Sequence, residues 1–252
     1  MVRIEVALND IGGLDRLASQ DSSVHRLDPR AKVVVTFAFL IAVVSYGKYE
    51  VAALAPLAVF PVALAALGRV PLRILGRYLL LASPFAILVG IFNPLLDREV
   101  AMRVGEVDLS GGWVSFVSIL FRFVLTVGAA CILIATTGFD AICAALERLG
   151  APRLLVAQLL LLHRYLFLLA REAGRMKRAH ALRALTEGGI PIGVWSSLTG
   201  HLLLRAYDRG RRIHSAMLCR GFTGEMPTLR ASRFGWKDAF FVVGWLAFFA
   251  VA

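Results

Sequence analysis

Ala216-Met217-Leu218-Cys219-Arg220-Gly221-Phe222 is the stretch around which the rest of the chain can be read, and Ala179-His180-Ala181-Leu182-Arg183-Ala184 is its imperfect echo. Both place a small residue four positions before an arginine and another directly after it. Each closes a long, arginine-studded segment with helical periodicity, and the two arginines stand 37 residues apart. A single cation at a helix C-terminus is explained by the macrodipole alone, as a capping charge facing anionic headgroups. Two such ends on successive helices, with the same spacing and with small neighbours that admit another backbone, point to a two-pronged docking device. Two prongs imply two receivers.

Working outward, the first of these helices runs from Pro152 to about Leu185, roughly 45–50 Å at 1.5 Å per residue. Its N-terminal half is apolar apart from Gln158, His163 and Arg164, whereas its C-terminal half carries Arg171, Glu172, Arg175, Lys177 and Arg178. Arg164, Arg171, Arg175 and Arg178 share one face, which leaves an apolar stripe for packing. Gly188-Gly189-Ile190-Pro191 breaks the chain, and a second helix from Pro191 to about Phe222 places Asp208 and Arg212 at a pairing distance of four residues. Upstream, Thr137 and Asp140 form a capping-box-like pair before a short amphipathic helix with Ile142, Ala145, Leu146 and Leu149 on one face, stopped by Gly150 and Pro152.

The remainder is apolar. The chain of 252 residues is 58% hydrophobic, with a net charge of +11 and a mean hydropathy of +0.72, a pairing that suggests a membrane protein with a large region on the positive side. A basic soluble nucleic-acid binder would not explain the apolar runs. Uncharged runs at Val33–Tyr46, Val51–Leu67 and Tyr78–Leu96, a fourth from Trp113 to about Gly138, and a last one over Ala239–Ala252 give five expected spans. Lys32, Tyr46, Tyr49 and Arg69 are expected to snorkel at the ends of the short ones. Asp28 suits the N-cap of the first span with Pro29 inside it, and Pro56 and Pro61 should kink the second. Residues 1–30 lack the apolar core of a signal peptide, so the first span is expected to serve as its own insertion signal.

Orientation follows from charge. Arg69, Arg73 and Arg77 mark one connector as cytoplasmic, together with Arg26, Arg30 and Lys32, whereas the balanced stretch Asp97–Gly112 reads as external. Sixteen of the 28 Lys and Arg lie between Arg148 and Lys237, so that region is expected on the cytoplasmic side. The expected architecture is an all-α integral membrane protein. Residues 1–138 hold four transmembrane helices, 139–236 the cytoplasmic coupling helices, and 237–252 the last span. Arg122 in the fourth span is expected to pair with a neighbouring helix or to snorkel, rather than to mark a polar site.

No catalytic constellation emerges. The five histidines form no HExxH, there is no phosphate-binding GxxxxGK[ST] loop, and Cys131, Cys143 and Cys219 show no metal or disulfide spacing. The chain is not expected to hydrolyse ATP itself.

The two arginine ends, the segment His25-Arg26-Leu27-Asp28-Pro29-Arg30-Ala31-Lys32 and the stretch from Thr137 to Pro152 together resemble the membrane-embedded T component of energy-coupling factor (ECF) transporters, in particular its cobalt branch, CbiQ. The resemblance implies that Ala179, Ala181, Arg183 and Ala184, and Ala216, Cys219, Arg220 and Gly221, dock into grooves of two ATPase subunits. Ala184 stands where the family usually has glycine, so the local geometry of the two docks is expected to differ. It further implies that ATP is bound by those partners, with no cofactor in this chain. The helices Leu154–Leu182 and Val194–Phe222 would lever a separate substrate-binding membrane subunit in the lipid bilayer of the cell's inner membrane, with no role for nucleic acid. The cargo implied by the branch is cobalt or nickel, and vitamin uptake through exchangeable binding subunits is the alternative. Two other readings stand beside it. A membrane enzyme could grip lipid phosphates with Arg209, Arg211, Arg212 and Arg220, and a stand-alone channel would need ionisable residues along a path, for which Arg122 is the one candidate.

Overall fold

The computed structural model describes residues 13–47, 51–96, 100–104, 107–183, 191–224 and 234–251. Its elements are α1 (Gly13–Leu17), α2 (Pro29–Ser45), α3 (Val51–Leu54), a 3-10 turn (Pro56–Ala58), α4 (Val59–Leu67), α5 (Leu72–Leu96), β1 (Val100–Val104), β2 (Val107–Ser110), α6 (Gly111–Thr137), α7 (Phe139–Arg148), α8 (Arg153–Arg183), α9 (Ile192–Cys219) and α10 (Trp236–Val251). The all-α expectation holds, with one addition. β1 and β2 pair antiparallel, Val104 opposite Val107, where a polar connector was expected. The alternation of Val100, Met102 and Val104 is the pattern of a strand. The chain divides into two compact units, Leu14–Ala145 with Arg230–Ala252, and Met1–Gly13 with Leu146–Leu229.

In the first unit the core joins Val35, Phe39 and Val43 of α2, Leu54 and Leu57, Phe60 and Leu64 of α4, and Leu125, Ala129 and Ile132 of α6. Apolar burial gives little driving force between helices in lipid, so shape and close approach decide the packing. Phe60 stacks at 4.7 Å from Phe39 and meets Trp245 and Phe249 of α10 edge-on at 4.9 and 5.3 Å. Gly90 of α5 lets the Phe116 ring of α6 approach to 2.8 Å of where a Cβ would stand.

Polar links at opposite ends of α2 establish that α6 runs antiparallel to it and that α10 starts beside its start. At its C-terminus, Arg122 of α6 donates to the carbonyls of Tyr46 (3.0 Å) and Gly47 (2.6 Å), covering orphan acceptors of the helix end. The expected pairing of Arg122 with a neighbouring helix is therefore found. At the N-terminus of α2, Asp28 caps the helix by accepting from the Arg30 N–H at 2.8 Å, as expected. The buried Asp238 carboxylate serves two helices there, accepting from the Asp28 N–H and from the Gly235 N–H ahead of its own helix, both at 2.8 Å.

Lys32 departs from expectation. Instead of snorkelling it is buried, and its ammonium donates to the Thr136 carbonyl at 2.9 Å. A long side chain at that depth finds an orphan carbonyl at the end of α6 closer than water. Tyr46 likewise leans on the core, and Tyr49 lies outside the described residues. Arg69 adopts a left-handed φ of 51° because the glycine falls one residue earlier. A Cβ on Gly68 would stand 2.9 Å from Thr136 Cγ2, so that glycine serves close approach to α6. The Pro56 and Pro61 segment is broken into α3, the 3-10 turn and α4, as the prolines suggested.

The junction between α6 and α7 also corrects an expectation. Thr137 and Asp140 do not form a capping box, since Thr137 Oγ1 is buried without a hydrogen-bond partner. The cap comes from 124 residues away, where Asp15 Oδ1 accepts from the Phe139 N–H at 2.8 Å. Gly138, at φ 81°, makes the turn between the two helices. In α7 the buried residues are Cys143 and Ala145, and Leu149 is exposed.

Among the described residues, three helices are long and apolar enough to cross a membrane, Leu72–Phe92, Gly112–Thr137 and Arg153–Arg183. The third contains the apolar first half of a helix that was expected on the cytoplasmic side. At 17 and 16 residues, α2 and α10 reach only about 25 Å each, short of a full hydrocarbon core.

Asp15→Ala should cost about 1 kcal/mol through the lost cap. Lys32→Met should cost about 1–3 kcal/mol by removing a donor from a buried carbonyl. Thermal unfolding in detergent reads both, and wild-type midpoints would contradict the roles assigned to these contacts.

Candidate docking site at two helix ends

The second unit contains both arginine signatures. Of their helices, α8 is described to Arg183, with Leu185 outside the described residues, and α9 ends at Cys219, three residues before the expected Phe222. The end of α9 has a defined architecture. Arg220 is its C-cap, and Gly221 follows at φ 77°. The Gly221 N–H bonds the Leu218 carbonyl and the Phe222 N–H reaches back to Met217, each at 3.0 Å. These are the two bonds of a Schellman motif, which satisfies orphan carbonyls and needs a residue tolerant of positive φ just past the cap. The Arg-Gly pair thus has a local cause: glycine turns the chain out of the helix, and the arginine before it is left exposed on the last turn. Leu149-Gly150-Ala151 ends α7 in the same way, with the Ala151 N–H on the Leu146 carbonyl at 3.0 Å.

At the first signature, Ala179, Ala181 and Arg183 are exposed, and so is Leu182. Ala184 lies outside the described residues, as does Gly188-Gly189-Ile190, so the expected difference between the two docks falls there too. At the second, Ala216, Cys219, Arg220 and Gly221 are all exposed. Among the described residues, none covers either end.

The contact that joins the two helices is one the sequence reading missed. Glu172 of α8 forms ion pairs with Arg175 on its own helix and with Arg205 on α9. Asp208 and Arg212, the expected pair, make no ion pair with each other. The missed link joins residues 33 apart in sequence, beyond the reach of a helical i,i+4 rule. Counting from this contact, Arg183 lies 11 residues along α8 and Arg220 lies 15 along α9, arms of about 16 Å and 22 Å at 1.5 Å per residue.

Of the arginines that could have gripped a phosphate, Arg209, Arg212 and Arg220 fall within about 80° of one another around α9, and Arg211 does not. Arg211 lies about 200° around α9 from Arg209, and its guanidinium sits 5.9 Å over the Tyr207 ring of the preceding turn. Among the described residues no cluster of three His, Cys, Asp or Glu side chains is placed to hold a metal ion.

Residues 20–229 match the family model CbiQ, described as cobalt transport protein. The chain belongs to the CbiQ cobalt transport protein family. It is 27% identical to the energy-coupling factor transporter transmembrane protein EcfT of Bacillus subtilis over 239 residues, 88% of this chain and 89% of that one. It is also 27% identical to the cobalt transport protein CbiQ of Salmonella typhimurium over 231 residues, 84% of this chain and 98% of that one. A shorter match, 30% identical over 103 residues, covers 41% of this chain and 38% of the nickel permease LarQ of Lactiplantibacillus plantarum. This CbiQ-family chain is therefore a multi-pass membrane subunit of an ECF-type transporter and works within a complex of several subunits.

Gly221→Ala places a Cβ at positive φ and should cost roughly 1 kcal/mol locally. Hydrogen exchange at the amides of Gly221 and Phe222 should speed up while that of α8 stays unchanged; equal protection in wild type and variant would contradict the Schellman assignment.

Proposed function

We propose that this chain is the coupling subunit of an ATP-driven ECF-type importer, with Arg183 and Arg220 each docked in one of two ATPase subunits. The observation that carries this reading is the pair of exposed Ala-x-x-x-Arg ends, each at the tip of an arm rooted in one shared contact between α8 and α9. When the ATPase subunits close on ATP, the two tips are carried with them. Helices pinned at one end convert that movement into rocking of a partner against their other surfaces.

In this reading residues 139–236 are the coupling region, with its charged half on the cytoplasmic side, and the N-terminus of α2 faces the same side. Residues 1–138 and 237–252 anchor it in the cell membrane. The partner moved is a membrane subunit that binds the cargo, and the substrate favoured by the family description is cobalt, with nickel second. Vitamin uptake through exchangeable binding subunits uses the same coupling. ATP stays with the ATPase subunits, and this chain supplies no catalytic group. Arg211, held over the Tyr207 ring, is drawn away from the phosphate grip that a lipid-phosphate enzyme would need.

Co-purification with the ATPase subunits tests the reading. Arg183→Glu and Arg220→Glu should each weaken capture at least tenfold, and the double variant should abolish it while the detergent-solubilised chain keeps its wild-type unfolding midpoint. Equal capture by all four proteins would overturn the docking assignment.

A further inference from the structure

The ion pairs of Glu172 lie on the faces of α8 and α9 that carry the signatures. Along α8, seven residues from Glu172 bring the helix to Ala179, about 20° short of the same direction, and eleven bring it to Arg183, about 20° past it. Along α9, eleven residues from Arg205 lead to Ala216 with the same small offset, and fifteen lead to Arg220 at about 60°. Rotating either helix about its axis would therefore break this link and turn a docking face away together.

Apolar packing leaves that rotation weakly specified, because α9 has no buried residue along its length. The two guanidinium groups are well exposed, at 66% and 63%, but the Glu172 side chain is only 20% exposed. Arg175, one turn along the same helix, holds the carboxylate for Arg205. An isolated surface ion pair contributes little stability. A two-cation link has a direction, and direction is what a loosely packed helix pair lacks.

We propose that Glu172 is a positioning residue that pins α8 to α9 at their contact, so that the two docks are presented to the nucleotide-free ATPase pair at a defined separation and azimuth, before closure on ATP carries the tips. This rests on the docking reading above. A defined geometry raises the effective concentration of the second dock once the first is engaged. Glu172 itself touches no ATPase subunit.

The test is a double-mutant comparison on the full chain, reading affinity for the assembled, nucleotide-free ATPase pair. Glu172→Gln should weaken binding about tenfold in the wild-type background. In the Arg183→Glu background it should change nothing, because a single dock needs no pinning. Arg205→Lys, which keeps the cation, should retain most of the affinity. An equal loss from Glu172→Gln in both backgrounds, or no loss in either, overturns the proposal. A second readout does not depend on the ATPase. Spin labels on the exposed Cys219 and on a Leu182→Cys variant, with Cys131 and Cys143 replaced by serine, report the distance between the tips. Its distribution should be narrow with Glu172 and at least twice as broad with Glu172→Gln, and equal widths overturn the pinning. A wild-type chain that binds no ATPase would sink the docking reading, while the distance measurement would still judge the pinning.

Discussion

The Asp238 carboxylate, buried between the starts of α10 and α2, is the contact on which the membrane part depends. Two helix N-termini brought side by side concentrate partial positive charge and orphan N–H groups away from water. One carboxylate answers both, through the Asp28 and Gly235 N–H groups. Asp28 then caps α2, and Lys32, one turn on, ties the same helix end to the Thr136 carbonyl. From there the chain turns at Gly138 into α7, whose first N–H is capped by Asp15. The polar segment before the first apolar run is therefore the fastening of three helix ends.

That explains how much of the fold was legible. Apolar runs, prolines and glycines announce where helices begin and end, and Asp28, Gly150 and both arginine-tipped helices fell where local chemistry put them. What escaped the reading was non-local. Lys32 beside a membrane span looks like a snorkelling cation until α6 delivers a carbonyl to it. Thr137 and Asp140 look like a capping box until Asp15 arrives from far upstream. Arg69 takes a strained φ because Gly68 is needed against Thr136. Spacing rules see neighbours along one helix, and each of these outcomes was decided by a second one.

The candidate site divides the same way. Ala216 to Phe222 could be recognised from sequence because a Schellman motif is local, and its glycine and preceding arginine are adjacent letters. The relation between the two arginine ends could not, because it passes through Glu172 and Arg205, a pairing with no periodic signature. Family membership supports the transport role and says nothing of this link. The functional picture thus joins a local device, an exposed arginine on a glycine-terminated turn, to a non-local one that sets how two such devices are held.

The central claim is that the two tips engage two different ATPase subunits. The most direct measurement places a photoreactive residue at Leu182, at Leu218 or at both in the assembled complex, then counts the ATPase copies trapped per chain after illumination. The account predicts one copy for each single site and two for the doubly substituted chain. One copy for the doubly substituted chain, or none from either site, would contradict it.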